Sequence, residues 1–424
     1  MSRPLSIAIF HMGFFYSGGG EKLVLLEARE LRKRGHDVRV FAPIADPKAC
    51  FPELMDEVRP EALLHRLPNI ARVGDGLTLL LSAALASSLT RRIDADVYLG
   101  ANQPGTWLAR AAARRHGKRY VVYLNQPNRL LHARAVDLEA RWLIVKRDFF
   151  LLDTVASFGR PILNRRDRRS VSDASVRLGD GDYMTGILTS HYGGAWRSCP
   201  AATQPAAAEP RDQASRLGGS VEIGRRVIHR PFVLLTNRHY PQKRFEDMLP
   251  VIVRVRERYP HAALVITGSD TPYTDFLRRR ADELGLRHAV RFMGLVDETE
   301  LDALYASAAV YVYPSPEEDF GMGIVEAMGH GTPVVAWDHA GPTGIIADGV
   351  DGRLIKLGDV GAFGDAVVAL LDDAAVRERI GRAAWATVTR RFSLAAHTDV
   401  LEGALYEAAG RARVADAASA NTSA

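Results

Sequence analysis

Residues 309–331 read AVYVYPSPEEDFGMGIVEAMGHG. The apolar, β-branched and aromatic run to Pro314 predicts a strand, the Pro, Ser and acidic residues a loop, and the stretch that follows a helix whose first turn holds Gly321 to Ile324. In open parallel sheets ligands sit beyond the carboxyl ends of the strands, at loops that lead into helices. Glycine lets a backbone approach an anion closely, and the amides and dipole of a helix start favour phosphate. Glu318 stands just before that start and Glu326 within its first two turns. Carboxylates are poor phosphate ligands but good acceptors for hydroxyls, so the pattern suits a phosphate that carries a sugar on each side.

The same beat extends outward from this stretch. RPFVLLTN, AALVITG and AVRFMG predict further strands, with RFEDMLPVIVRVRERYP, YTDFLRRRADELG and DETELDALYASA as the helices between them. Nearer the N-terminus SIAIF, HDVRVFAP, ADVYLGA and KRYVVYLNQP alternate with GEKLVLLEARELRKRG, whose Leu23, Leu26 and Leu31 share one helix face, and TWLARAAARRHG. Strands alternating with helices imply parallel sheets covered on both faces. Between about Ala201 and Gly219 the pattern stops in AATQPAAAEPRDQASRLGG, which reads as a linker between two doubly wound α/β halves. The expected division is an N-terminal domain over 1–210, a C-terminal domain over 211–393, a last helix over 394–415 and a disordered tail over 416–424.

Composition excludes several classes. At 47% hydrophobic and 25% charged residues the chain of 424 residues is an ordinary folded protein of more than one domain. Two cysteines, Cys50 and Cys199, leave no disulfide framework or cysteine metal site and fit a reducing, cytoplasmic compartment. The apolar start LSIAIFHMGFF runs on without a small-residue cleavage site and reads as a buried strand. LTLLLSAALASSL, from Leu77, is too short and serine-rich to span a bilayer and reads as a buried helix. The net charge of +5 is uneven: Ala101–Asp180 holds 16 Lys and Arg against 7 Asp and Glu, a surplus of +9. Such a surface suits a phosphorylated acceptor or peripheral contact with the anionic inner face of a membrane, or is a solvated helix face. No nucleic-acid-binding motif accompanies it.

A second anion site is legible in TNRHYPQKRFEDM, where Arg238 and Lys243 follow a strand end and precede a helix. Arg offers a bidentate fork and Lys a movable charge, a pair suited to a diphosphate, although two surface cations would look the same. Gly18–Gly20 form a tight strand-to-helix turn or a close approach to phosphate; they do not make a Gly-x-Gly-x-x-Gly fingerprint. His11, His239 and His330 lie near loops and are assigned no chemistry. Asp180-Gly181-Asp182 has the form of a metal-binding Asp-x-Asp but reads as lacking a strand end before it, so no metal site is assigned.

With these residues in place, the chain resembles glycosyltransferase family 4, retaining enzymes of GT-B fold. The resemblance rests on EDFGMGIVEAM with GTPVVAW and AGPTGIIADGVDGRLI after it, on Arg238 and Lys243, and on SGGGEKLVLLEARELRKRGHDV. It implies two Rossmann-like domains facing a cleft, the C-terminal one binding a nucleotide-diphosphate sugar as co-substrate without cofactor or metal, the N-terminal one a glycan, lipid-linked or small-molecule acceptor. Carried over, Glu318 would bond hydroxyls of the transferred sugar and Glu326 the nucleotide ribose. Arg238, Lys243 and the backbone of Phe320, Gly321, Met322, Gly323 and Ile324 would hold the diphosphate, with Gly18, Gly19, Gly20 and Gly268 completing the donor site. The last helix would return to the N-terminal domain.

One residue departs from the family pattern. Asn125, in VVYLNQPNRLL, stands where relatives often carry a histidine near the reaction centre, and it cannot exchange protons at neutral pH. This points to catalysis by positioning and electrostatics, with the departing phosphate taking the acceptor's proton. It also keeps open a catalytically weak GT-B subunit that binds nucleotide sugar or a partner enzyme. ADPKACFPEL, YLNQPNRLL and NRHYPQKR resemble mannosyltransferases of lipid-linked oligosaccharide assembly, which places GDP-mannose first among donors and UDP-sugars next. A phosphorylase of the same fold would need a lysine-bound cofactor, for which no motif is present.

Overall fold

The computed structural model describes residues 3–16, 18–64, 75–129, 131–139, 150–210 and 214–412. The tail expected over 416–424 and the end of the last expected helix, 413–415, lie outside them. The chain forms two compact units: Met1–Ala133, Asp148–Ala201 and Leu394–Ala424 make one, and Arg134–Arg147 with Ala202–Ser393 the other.

The first unit is built on β1 (Ser6–His11), β2 (Asp37–Ala42), β3 (Glu61–Ala62), β4 (Val97–Ala101), β5 (Tyr120–Leu124), β6 (Val176–Gly179) and β7 (Arg197–Ser198). All neighbours are parallel, in the order β3-β2-β1-β4-β5-β6-β7. Every residue of β4 and β5 is buried, as central strands covered on both faces require. The connections carry α1 (Gly19–Lys33), α2 (Pro52–Val58), α3 (Asp75–Leu89), α4 (Gly105–His116), α5 (Phe150–Ser172) and α6 (Gly181–Tyr192). Leu23, Leu26 and Leu31 of α1 are buried, as their spacing predicts.

In the second unit an antiparallel hairpin, β8 (Ser220–Ile223) and β9 (Arg226–His229), precedes a parallel sheet. Its strands are β10 (Phe232–Thr236), β11 (Ala263–Thr267), β12 (Val290–Gly294), β13 (Val310–Tyr313), β14 (Val334–Trp337) and β15 (Arg353–Ile355), in the order β12-β11-β10-β13-β14-β15. Around it lie α7 (Met248–Arg258), α8 (Pro272–Glu283), α9 (Glu298–Ser307), α10 (Met322–Gly329), α11 (Pro342–Ile345), α12 (Val360–Asp372) and α13 (Ala374–Arg391). Side chains at the N-caps of four of these helices, Thr271, Asp297, Asp359 and Asp373, accept from first-turn amides. The core centres on Trp337, which packs edge-on against Phe363 at 4.7 Å. Its indole nitrogen donates to the Pro314 carbonyl at 2.9 Å, pinning the start of the loop that carries Glu318.

By contact the chain changes unit at Ala202, inside the stretch read as a linker. Ala206 donates its amide to the Gly329 carbonyl at 2.9 Å and accepts from the Trp385 indole at 3.0 Å. Arg216 is buried, its guanidinium donating to Ala308 and His330 carbonyls and to the Thr332 hydroxyl. Polar backbone laid on a folded surface needs no apolar periodicity, so sequence pattern does not reveal such packing.

The last helix, α14 (Leu394–Ala409), belongs to the first unit and packs against α1 and β5. Two histidine–glutamate pairs hold it, one in each direction. His397 of α14 meets Glu27 of α1 at 2.9 Å, and Glu402 of α14 meets His36 at 3.0 Å. His36 Nδ1 accepts the Leu5 amide at 3.1 Å, which leaves Nε2 to donate to Glu402. His397 faces acceptors on both sides: the Pro200 carbonyl lies 2.7 Å from Nδ1 and the Glu27 carboxylate on Nε2, and only the imidazolium donates to both. Burial opposes that charge, but the Cys199 sulfur and Glu27 outweigh it and hold the pKa well above the usual 6.5. Among the described residues no helix is long and apolar enough to cross a membrane.

A histidine whose folded pKa is raised contributes stability that is complete below its unfolded pKa and is lost as pH rises through the folded value. His397→Gln is therefore expected to cost about 3 kcal/mol below pH ~6.5, the scale for breaking a buried pair. The gap between wild-type and variant urea midpoints should close at alkaline pH; a gap that stays constant to pH ~10 would contradict the imidazolium.

Candidate active site

Both sheets reverse strand order once, and in such folds ligands sit at that reversal. In the second unit it falls between β10 and β13, whose carboxyl ends lead into Asn237–Lys243 and Pro314–Gly321. Lys243 and Glu318 come from these two loops and meet: Lys243 Nζ donates to Glu318 Oε2 at 2.6 Å, with side chains 12% and 15% exposed. The Tyr313 hydroxyl donates to the same carboxylate at 2.7 Å. Burial favours protonation of Glu318, but the charge and hydrogen bond of Lys243, the Tyr313 hydroxyl and the charge of Arg134 prevail and hold its pKa down at about 2. An anionic acid is thereby fixed beside the start of α10.

The sequence brings these residues together through close backbone packing. Gly321, at φ +118°, is the N-cap of α10, whose N-terminus has no side-chain cap hydrogen bond. Ile324 donates its amide to the Gly321 carbonyl at 2.9 Å. The Phe320 ring turns inward, 5.9 Å from that of Phe392, so only its backbone borders the loop. A Cβ on Gly323 would lie 2.2 Å from the Tyr311 hydroxyl, so this glycine serves the contact of α10 with the sheet. Gly341 donates its amide to the Glu318 carbonyl at 2.9 Å, and a Cβ there would lie 2.3 Å from the Phe320 carbonyl oxygen. Gly268, at φ +135°, closes β11 where a Cβ would lie 1.8 Å from the Asn237 carbonyl oxygen.

Glu326 lies further along α10 and accepts from the Tyr305 hydroxyl at 2.8 Å. Tyr305 also meets Thr236 at 2.8 Å, and Thr236 meets Tyr311 at 2.9 Å, so a chain of hydroxyls leads from β10 to the acid. Arg238 is exposed at the mouth of the β10 loop, its guanidinium 5.4 Å from the centre of the Tyr240 ring. His239 is buried and bonds Thr274 at 2.9 Å, and His330 bonds the Glu326 carbonyl at 2.9 Å, both structural contacts.

Asn125 and Gly18–Gly20 belong to the first unit, whose order reverses between β1 and β4. Gly18 is the N-cap of α1, which begins at Gly19. A Cβ on Gly20 would sit 3.7 Å from Asn125 Oδ1, so the glycine turn and Asn125 do come together. Asn125 Oδ1 accepts from Asn102 at 2.8 Å, and its Nδ2 donates to Asp180 at 2.9 Å. Asp180 also accepts the Ala201 amide at 2.6 Å. The expectation that Asp180 follows no strand end is corrected: it directly follows β6, a strand of four residues too short to show a pattern. Its carboxylate orients Asn125, and among the described residues no group of three or more His, Cys, Asp or Glu is placed to hold a metal. Next to this cluster His11 is buried, and burial outweighs its bond to the Gly13 carbonyl to lower its pKa to about 4.

Sequence reasoning missed Tyr305, Tyr313, Thr236, Asn102 and Arg134, and weighed Asp180 only as part of a metal-binding Asp-x-Asp. The alternating tyrosines of VYVY were the available signal, because position Tyr313 closes a strand at the ligand end.

This architecture is that of GT-B glycosyltransferases. The crystal structure of Anabaena HepE in complex with UDP and glucose matches with a TM-score of 0.69 at 16% identity, over 95% of this chain and 100% of that one. The family model for glycosyl transferases group 1 matches residues 225–386, and that for Glycosyltransferase Family 4 matches residues 17–169. The chain belongs to glycosyltransferase family 4. A phosphatidyl-myo-inositol mannosyltransferase of Mycobacterium leprae (strain TN) is 36% identical over 180 residues, 42% of this chain and 46% of that protein. The lipopolysaccharide core biosynthesis glycosyltransferase LpsE of Rhizobium meliloti (strain 1021) is 31% identical over 169 residues, 40% of this chain and 48% of that protein. The chain spans about half the length of these curated relatives.

Two glycine variants separate backbone strain from steric conflict. Gly285→Ala, at φ +70° with no atom within 4 Å of the new Cβ, should cost about 1 kcal/mol. Gly268→Ala adds the collision with Asn237 and should cost about 3 kcal/mol in urea unfolding. Equal costs would mean that the β10 loop gives way and that Gly268 does not shape it.

Proposed function

We propose that this chain transfers a sugar from a nucleoside-diphosphate sugar to a hydroxyl of a glycan, lipid-linked or small-molecule acceptor, with retention, forming an α-glycosidic bond. The observation that carries this reading is the meeting of Lys243 and Glu318 at the strand-order reversal, beside the uncapped start of α10, with Glu326 held on the same helix. Lys243, Arg238 and the helix start suit a diphosphate. The ionised Glu318 suits hydroxyls of the transferred sugar, and Glu326 those of the ribose. The HepE complex with UDP and glucose supports a nucleotide-sugar donor, and the mannosyltransferase relative favours GDP-mannose, with UDP-sugars next.

In the reaction proposed, the bond from the anomeric carbon to the diphosphate oxygen breaks while the acceptor oxygen bonds to the same face of that carbon. The acceptor's proton passes to the departing phosphate. Negative charge grows on the diphosphate as that bond breaks, before the proton arrives, and Lys243, Arg238 and the α10 amides are placed to stabilise it without a metal. Asn125 contributes a hydrogen bond and no proton. A second reading, a catalytically weak subunit, is favoured by the same residue, whose amide is committed to Asn102 and Asp180.

Titration calorimetry with GDP- and UDP-sugars tests the donor site; if none binds, the reading fails. Glu326→Ala should weaken the bare nucleotide about tenfold. Glu318→Ala should lower turnover about 100-fold with little change in nucleotide affinity, and wild-type behaviour in both would remove the assignment. Asn125→His raising turnover several-fold would favour the weak-subunit reading.

The exposed face of α5 carries Arg165, Arg166 and Arg169 around Ile162, which is 69% exposed, and this supports peripheral contact with an anionic membrane. Vesicles rich in phosphatidylglycerol should bind the protein at low salt and release it at about 0.5 M, and binding unchanged in the triple Arg→Gln variant would rule out this face.

A further inference from the structure

Lys243 has two claims on it in the proposed reaction. It neutralises Glu318 in the absence of ligand, and it is the cation suited to the donor's diphosphate. When Lys243 turns to the phosphate, Glu318 loses its nearest counter-charge while remaining mostly buried. An uncompensated buried carboxylate takes up a proton or moves toward water. A second cation must then keep it anionic and in place.

Arg134 occupies that position. It lies in the connection between β5 and α5, just before a short 3₁₀ turn, Ala135–Leu138, and this segment clusters with the second unit. Its guanidinium reaches both neighbours of Glu318: Nη1 donates to the Glu317 carbonyl at 2.6 Å and lies 3.4 Å from the Asp319 carboxylate. The remaining donors, Nε and Nη2, hold Asp137 bidentately at 3.0 Å each, which fixes the plane of the fork. Arg134, Asp137 and Asp319 are each less than one-fifth exposed. Glu318 is thus gripped through its carboxylate by Lys243 and Tyr313, through its carbonyl by Gly341, and through the residues on either side of it by Arg134. Of these groups, Lys243 and Arg134 bring positive charge.

We propose that Arg134 is a positioning residue for the donor sugar: by clamping Glu317 and Asp319 it keeps Glu318 ionised and oriented after Lys243 has engaged the diphosphate. This rests on the donor-site reading above. It assigns a donor-side role to a residue that the sequence places among acceptor-domain elements, between Asn125 and α5.

Full-length Arg134→Gln and Arg134→Lys test it. Arg134→Gln keeps hydrogen-bond donors and removes charge; Arg134→Lys keeps charge and removes the fork. In ligand-free protein, amides of residues 317–320 should exchange with deuterium about tenfold faster in Arg134→Gln, with the rest of the chain unchanged. UDP and GDP should bind within about twofold of wild type. Turnover of the sugar nucleotide should fall about tenfold or more with KM nearly constant, and the acid limb of kcat should move to higher pH. Arg134→Lys should restore the acid limb and only part of kcat. Wild-type exchange over 317–320, or a wild-type acid limb and kcat in Arg134→Gln, overturns the proposal. A wild-type protein that binds no nucleotide sugar sinks the donor reading instead, while the exchange measurement still decides whether Arg134 anchors the loop.

Discussion

A carboxylate drawn out of water must be paired or it will not stay charged, and the second unit is arranged around meeting that demand at Glu318. The residue sits in the loop that follows a buried strand, where desolvation alone would raise its pKa. Lys243 and Tyr313 reverse the outcome, and both arrive there because of where their strands end. Tyr313 is the last residue of β13, and Lys243 leaves the neighbouring β10. The parallel pairing of β10 with β13 therefore fixes the chemistry as well as the core.

The same demand is met differently elsewhere. Glu27 is fully buried against an imidazolium, which ties α14 to α1. Asp167 is also fully buried and accepts from neutral donors, among them Tyr192 at 2.8 Å and Asn128 at 3.2 Å. Burial outweighs them and raises its pKa to about 6. At Glu318 a full opposite charge overrides burial and lowers the pKa, where the neutral hydrogen bonds of Asp167 leave it raised. Reading Glu318 as an anion depends first on Lys243, then on the Tyr313 hydroxyl, with the charge of Arg134 adding to both.

Much of this was legible in the chain, for a physical reason. Strands such as FVLLT, ALVIT and VYVY are buried on both faces, so their apolar runs are unbroken and easily read. The acid-glycine-acid loop was legible because Gly321, between the two acids, occupies a conformation that other residues resist. What escaped has no local signature. Arg134 acts 183 positions away from Glu317, and nothing in its own neighbourhood marks it among many arginines. β6 and the hairpin of β8 and β9 have four residues per strand, too few for a period. The Ala- and Pro-rich stretch from Ala201 binds through backbone groups and Arg216, which leave no hydrophobic pattern.

The distribution of charge between the two strand-order reversals bears on the proposed chemistry. In the second unit Lys243, Glu318, Glu326 and Arg134 gather, and in the first Asn102, Asn125 and a neutral His11 stand near Asp180, which Asn125 and Ala201 already engage. An acceptor hydroxyl approaching Asn125 finds hydrogen bonds there, and Asn125 itself cannot serve as a base. Asp180 accepts from Asn125 on one oxygen and from Ala201 on the other, and a proton placed on either oxygen would compete with the bond there and loosen the hold on Asn125. The departing diphosphate carries no such penalty, because its new charge forms where cations are already fixed and each proton it takes reduces the load on them. On this reading the histidine-to-asparagine difference costs little in proton transfer. Its effect falls on orientation, which Asn102 and Asp180 supply by holding the amide from both ends.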